Sequence, residues 1–79
     1  MRIFESELRN KSVMSDDGSY LGTVRNATVN PKTGDLVHVL VEPSDAIDAR
    51  LYERDKNGFL LFPSKNVRSV REVVIMRAS

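Results

Sequence analysis

Short apolar-rich runs alternate with clusters of Gly, Pro, Asn and Asp along most of this chain, a spacing that predicts strands joined by tight turns. Asp16, Asp17 and Gly18 form an Asp-Gly turn, in which glycine takes a positive φ without a Cβ clash, and a strand is predicted to begin near Leu21. Residues 23–30 read as an extended run closed by Pro31, Lys32, Thr33 and Gly34, where proline presets φ and glycine supplies the left-handed position of a hairpin tip. Residues 35–42 return as the second arm, with Val37, Val39 and Val41 on one face and Leu36, His38 and Leu40 on the other.

Both faces of that arm are largely apolar, whereas a half-exposed antiparallel strand alternates apolar with polar. Something must therefore cover Leu36 and Leu40. In the opposing arm the parity changes partway: Val24 lies on one face of a regular strand, Ala27 and Val29 on the other. A β-bulge near Arg25 and Asn26 restores a single apolar face and bends the strand as a closing barrel requires.

Beyond Pro43 the polar connection 44–49 is predicted to hold one helical turn capped by Ser44, followed by a strand over 50–55 with Leu51 opposite Tyr52. Lys56, Asn57 and Gly58 make another tight turn. Residues 59–62 form the next strand, ended by Pro63, which has no donor for the ladder. Residues 64–66 turn Val67 inward, Val70 follows it, and 73–76 make a last apolar strand. Strand parity at 59–62 and 73–76 stays open, because both faces of each run are apolar. One short helix fits, at 6–11, with Ser6 as cap and Leu8 as its buried contact. The expected fold is all-β, a small closed or partly closed barrel of about six short strands with one N-terminal helical turn.

Composition narrows the function. Seventy-nine residues, 41% hydrophobic, fit one folded domain over 1–79. The absence of cysteine excludes a disulfide scaffold, a thiol nucleophile and a Cys-based zinc site. No apolar run approaches the roughly 20 residues a membrane-spanning helix needs. Glu5 interrupts any secretory signal at the start, so the expectation is a cytoplasmic protein. The formal charge is +1, with Lys65, Arg68, Arg71 and Arg77 against Glu72 giving the last segment +3 and leaving −2 for the rest. Nucleic-acid binders concentrate a larger basic excess on one face, so these bases read as a solvated rim.

Catalysis needs converging groups, and the sequence offers none. His38 is the single histidine and sits in a hydrophobic strand, where a structural or interface role suits it better than metal ligation or a nucleophilic triad. Asp16 with Asp17 and Asp45 with Asp48 lie in turn contexts, where aspartate accepts local backbone hydrogen bonds. Gly18, Gly34 and Gly58 mark turns, and Gly22 permits close strand packing rather than a phosphate cradle. Tyr20, Tyr52 and Phe59 could form a base-stacking platform beside Arg50, Arg54 and Lys56, but core or dimer packing explains them more simply. No enzyme activity, cofactor or metal is expected.

Taken together the pattern resembles the PRC-barrel family. The resemblance runs from the leader ending at residues 8–11, through Val13, the Asp16, Asp17, Gly18 turn and Tyr20, Leu21, Gly22, Thr23, Val24. It continues through Thr28, Val29, Asn30, the Lys32, Thr33, Gly34 tip and Leu36, Val39, Leu40, Val41. It closes with Gly58, Phe59, Leu60, Pro63, Val67, Val70 and 73–76. Within the family, the run from Asn30 to Leu36 followed by Val39 to Pro43 is similar to short stand-alone archaeal members of the CdpB type. That similarity implies a homodimer, pairing with a paralogous barrel, and recruitment by SepF to an FtsZ-based division site. The alternative within the family is a ribosome-maturation or RNA-associated barrel of the RimM type.

The expectation is a non-enzymatic adaptor whose partner-binding residues are Leu36, His38, Leu40, Tyr52 and Phe59. Which strand forms the dimer interface is open. Isologous pairing of the 35–42 strand would place His38 near its own copy.

Overall fold

The computed structural model describes residues 5–77; of the opening stretch weighed as a secretory signal, residues 1–4 lie outside that span. A single helical turn, α1 (Glu5–Leu8), leads into six strands: β1 (Ser12–Ser15), β2 (Tyr20–Val29), β3 (Leu36–Pro43), β4 (Leu60–Pro63), β5 (Val67–Val70) and β6 (Val73–Met76). The all-β expectation holds. Ser6 lies inside α1 rather than capping it, and the turn ends where Asn10 takes a left-handed φ of 69° while Lys11 N donates to Leu8 O at 3.1 Å. Leu8 is fully buried and fixes this turn to the barrel.

The strands form one sheet in the order β4-β3-β2-β1-β6-β5, antiparallel except where β1 runs parallel to β6. The two edge strands, β4 and β5, are consecutive in the chain and joined by a 3-10 turn at Ser64–Asn66. The sheet is therefore curled and linked across its gap by this covalent turn, without a closing ladder. The β1–β6 pairing was not anticipated, since Ser12–Ser15 carries only two apolar positions, Val13 and Met14, between its serines. Its burial nevertheless alternates, with Val13 and Ser15 inward.

The bulge expected in β2 is present. Val24 pairs with Val41 and Asn26 with Leu40, which leaves Arg25 as the extra residue. Leu21, Val24 and half-buried Ala27 then face one core with Val39 and Val41. A second irregularity was not foreseen. Thr28 pairs with His38 and Val29 with Leu36, so Val37 has no partner between them. The parity of β3 changes there, and Leu36 packs against the core cluster while Val37 stays 40% exposed. The assignment of Leu36 to the outer face with Leu40 is thus corrected.

The 43–59 connection also differs. Ser44 does not cap a helix: its hydroxyl donates to Tyr20 O at 2.6 Å and accepts from Ala46 N at 3.2 Å, tying the end of β3 back to β2. The helical turn lies later, as a 3-10 turn at Ala49–Leu51 capped by Asp48, whose carboxylate accepts from Arg50 N at 3.0 Å. The strand expected over 50–55 is reduced to one bridge between Arg54 and Leu60, with Leu61 N donating to Glu53 O at 2.9 Å. Ile47, Ala49 and Tyr52 all pack on the core, a spacing that strand alternation cannot supply. The turn before β4 is as expected: Gly58 has φ +85°, and Asp55 Oδ1 accepts from Asn57 N and Phe59 N.

Pairing settles the parities left open. Leu60 and Phe62 enter the core opposite Val41 and Val39, and Val74 and Met76 enter it from β6. Val67 and Val70 pack against that core from the edge strand, as the turn at 64–66 predicted.

Candidate interaction surface

With Val24, Val39, Val41, Leu60 and Phe62 inward, the intervening residues of β2, β3 and β4 form the outer face. Two cross-strand rows lie on it. One runs Thr28, His38, Pro63 and the other Asn26, Leu40, Leu61. Phe59 precedes β4 and is half-buried. An apolar centre of Leu40, Leu61 and Pro63 is thereby bordered by Asn26, Thr28 and His38, the arrangement of a protein-binding patch with an apolar middle and a polar rim.

Two of the five expected partner-binding residues, His38 and Leu40, sit at the middle of this face, and Phe59 lies just before β4. Leu36 is on the core side. Tyr52 packs edge-on against Phe62, with ring centroids 6.1 Å apart and planes at 67°, and so braces the segment beside β4. Leu40 is only 9% exposed within one chain. The apolar surplus expected from Leu36 and Leu40 is mostly hidden already, which leaves half-buried Leu61, Pro63, His38 and Phe59 as the contacts on offer. Leu61 and Pro63 had no distinguishing signal in the sequence, because only the Val39–Phe62 and Leu40–Leu61 pairings assign their side of the sheet.

His38 is half-buried, and its Nδ1 lies 3.5 Å from Thr28 Oγ1. Among the described residues no His, Asp and Glu side chains cluster closely enough to hold a metal ion. No helix among them is long and apolar enough to cross a membrane.

Apolar side chains are more exposed elsewhere. Leu51 is 79% exposed on the 3-10 turn, and Val29, at 45%, lies next to Val37 around the second bulge. The Leu51 turn is pinned from below. Arg50 forks onto Asp48, with Nε to Oδ1 at 3.0 Å and Nη2 to Oδ2 at 2.9 Å. The hydrogen bonds from Arg50 lower the Asp48 carboxyl pKa, and the same contact raises that of the guanidinium. A second carboxylate is tuned at the β1–β2 turn, where the Ser15 hydroxyl and then Ser19 N donate to Asp17 and lower its pKa. Arg25, thrown outward by its bulge, reaches Asn10 Oδ1 and Glu42 Oε2, each at 3.1 Å, and clamps the start of the chain to β3.

The sequence model of the PRC-barrel domain matches residues 1–79. No curated protein matches the chain in sequence. Among solved structures, a 16S ribosomal RNA processing protein, RimM, from Pseudomonas aeruginosa is similar with a TM-score of 0.61 at 15% identity. The match covers 98% of this chain and 44% of that one, so this chain spans less than half the length of the protein it resembles. At such identity the likeness concerns the fold.

Proposed function

The chain belongs to the PRC-barrel family, and from that premise we propose that it is a non-enzymatic protein–protein interaction module that works as a homodimer. The observation that carries this reading is the outer face of β3 and β4, where Leu40, Leu61 and Pro63 form an apolar strip inside a polar rim. Half-buried Leu61, Pro63, Phe59 and His38 supply the remaining surface for a second copy, and Leu36 and Tyr52 support the face from the core side. The finer assignment is an adaptor of FtsZ-based division in the cytoplasm, paired with a paralogous barrel and with SepF. It is supported by the resemblance of residues 30–36 and 39–43 to short archaeal members.

A second reading, a ribosome-maturation barrel, is favoured by the fold likeness to RimM. The two separate experimentally. Light scattering on the purified chain is expected to give a dimer, and Leu61→Lys is expected to weaken self-association at least about tenfold, equivalent to ~1.4 kcal/mol. Circular dichroism must show the variant still folded, with Leu61→Ala as the milder substitution if it is not. A single-chain mass at all concentrations overturns the dimer. Capture of SepF from a native lysate supports the division assignment. Retention on ribosomal particles that falls steeply with salt supports the alternative.

A further inference from the structure

The five asparagines of the chain differ in what their side chains do. Asn10 Oδ1 accepts from Arg25, Asn26 Oδ1 from Ala27 N at 2.9 Å, and Asn30 Oδ1 from Lys32 N at 2.9 Å. Asn66 Nδ2 donates to Arg77 O at 3.0 Å. Asn57 is exposed, and its side-chain amide has no hydrogen-bond partner among the described residues; only its backbone N–H is engaged, by Asp55. It is also the one asparagine followed by glycine. At Gly58 no atom other than those of its two chain neighbours lies within 4 Å of where a Cβ would stand, so the turn is open on that side and leaves room for the Asn57 side chain to rotate.

We propose that Asn57–Gly58 is a self-modification site, where the folded protein deamidates in preference to every other asparagine. Gly58 N attacks Asn57 Cγ and a C–N bond forms. The Cγ–Nδ2 bond breaks and ammonia leaves, carrying the proton lost from the Gly58 amide. The five-membered succinimide then takes up water at either carbonyl, giving aspartate or isoaspartate at position 57. Water is the only co-reactant, and no electrons are transferred.

The geometry sets the gate. Gly58 N donates to Asp55 O at 3.1 Å, and this single turn bond must open before the nitrogen can attack. Bonds at exposed loop tips open at little cost compared with those of core strands. The other turn of this kind, Asp17–Gly18, differs: the Asp17 carboxylate is tethered by the Ser15 hydroxyl and Ser19 N, whereas the Asn57 amide is not. Asn30 precedes Pro31, which has no N–H to give up.

Conversion takes the formal charge from +1 to 0. The isoaspartyl product also adds a backbone atom to the turn whose closing bond, Asp55 N to Phe59 O at 2.9 Å, feeds β4. That places the modification at the end of the outer face argued above, although the chemistry does not depend on the dimer.

The test is to hold the full-length chain in mildly alkaline native buffer, follow its fold by circular dichroism, and map digests by mass spectrometry over time. The expected result is a gain of one mass unit at Asn57, split into two chromatographic products. It should appear at least about tenfold faster than at the other asparagines, the ratio given by a barrier difference of ~1.4 kcal/mol. Asn57→Gln, whose longer side chain disfavours the ring closure, should abolish the signal without altering the fold. Equal rates at another asparagine, or an Asn57 intact until the dichroism signal is lost, overturns the proposal.

Discussion

Replacing Gly22 by alanine tests the register on which the barrel depends. Gly22 pairs with Val13 of β1 and Pro43 of β3, so it sits at the centre of the sheet with neighbours on both sides. Its φ is +149°, and an added Cβ would fall on the Glu42 carbonyl oxygen, 2.9 Å from the carbonyl carbon and 3.1 Å from Val41 Cγ1. Val41 can shift its side chain; the Glu42 carbonyl is backbone and moves only if β2 and β3 part. Backbone strain of this kind costs roughly 1–3 kcal/mol, and forcing extra volume into a packed site a further ~1–3 kcal/mol. A 79-residue domain holds a total stability of about 4–12 kcal/mol, so Gly22→Ala should remove about half of it. Gly18 and Gly58 provide the comparison. Their φ values are +92° and +85°, but nothing lies within 4 Å of a built Cβ at either. Alanine there carries only the left-handed penalty of about 1–2 kcal/mol. Urea unfolding followed by circular dichroism should rank Gly22→Ala well below the other two. A Gly22→Ala midpoint equal to theirs would mean that the close β2–β3 approach is not rigid, and the steric argument fails.

Leu40→Ala should destabilise the single chain by about 2–5 kcal/mol, because Leu40 is nearly buried before any partner arrives; a variant that changes only self-association, with an unaltered unfolding midpoint, contradicts this. Asp17→Asn should be less stable than the parent at neutral pH. The folded carboxyl of Asp17 is more acidic than the unfolded one, so its contribution is complete above the ordinary aspartate pKa of about 3.9 and is lost as pH falls through the lower folded value. Thermal melts should therefore show the gap closing in acid, and a gap that is constant or widens on acidification excludes the carboxylate as its source.

The turns were legible because their chemistry is local. Asp16–Gly18, the tip at 31–34 and the 56–58 turn each carry an Asx or Gly signal whose partners lie within four residues. The Arg25 bulge was legible for a different reason, since the apolar positions Val24 and Ala27 could share one core only if a residue were skipped. The β1–β6 pair was not. It joins residues some sixty positions apart through a four-residue strand with serines at both ends, and no local pattern encodes a parallel partner. Residues 50–55 failed because Leu51 and Tyr52 mimic alternation, whereas the core contacts of Ile47, Ala49 and Tyr52 follow a helical turn. At the candidate surface His38 and Leu40 were found by alternation in β3. Leu36 was misplaced by the second bulge, and Leu61 and Pro63 could be assigned only once the register with β3 was known.

The distribution of edges explains why association should proceed through a face. A curled but unclosed sheet has two edges, and each is an invitation to pair with another strand. The β4 edge is occupied by its own chain, since Leu61 N bonds to Glu53 O and Arg54 bridges to Leu60. The β5 edge is four residues long and irregular: Val67 pairs with Met76 and Ser69 with Ile75, which leaves exposed Arg68 as an extra residue in the edge strand. A charged bulge on a short edge breaks the regular ladder that an added strand would need. Pairing by strand addition is thereby disfavoured at both ends. What the fold leaves for a partner is side-chain surface, and the outer strip of β3 and β4 is where apolar side chains from adjacent strands lie in register. A dimer formed there would bury Leu61 and Pro63 without disturbing a backbone hydrogen bond, so the barrel need not change shape to associate.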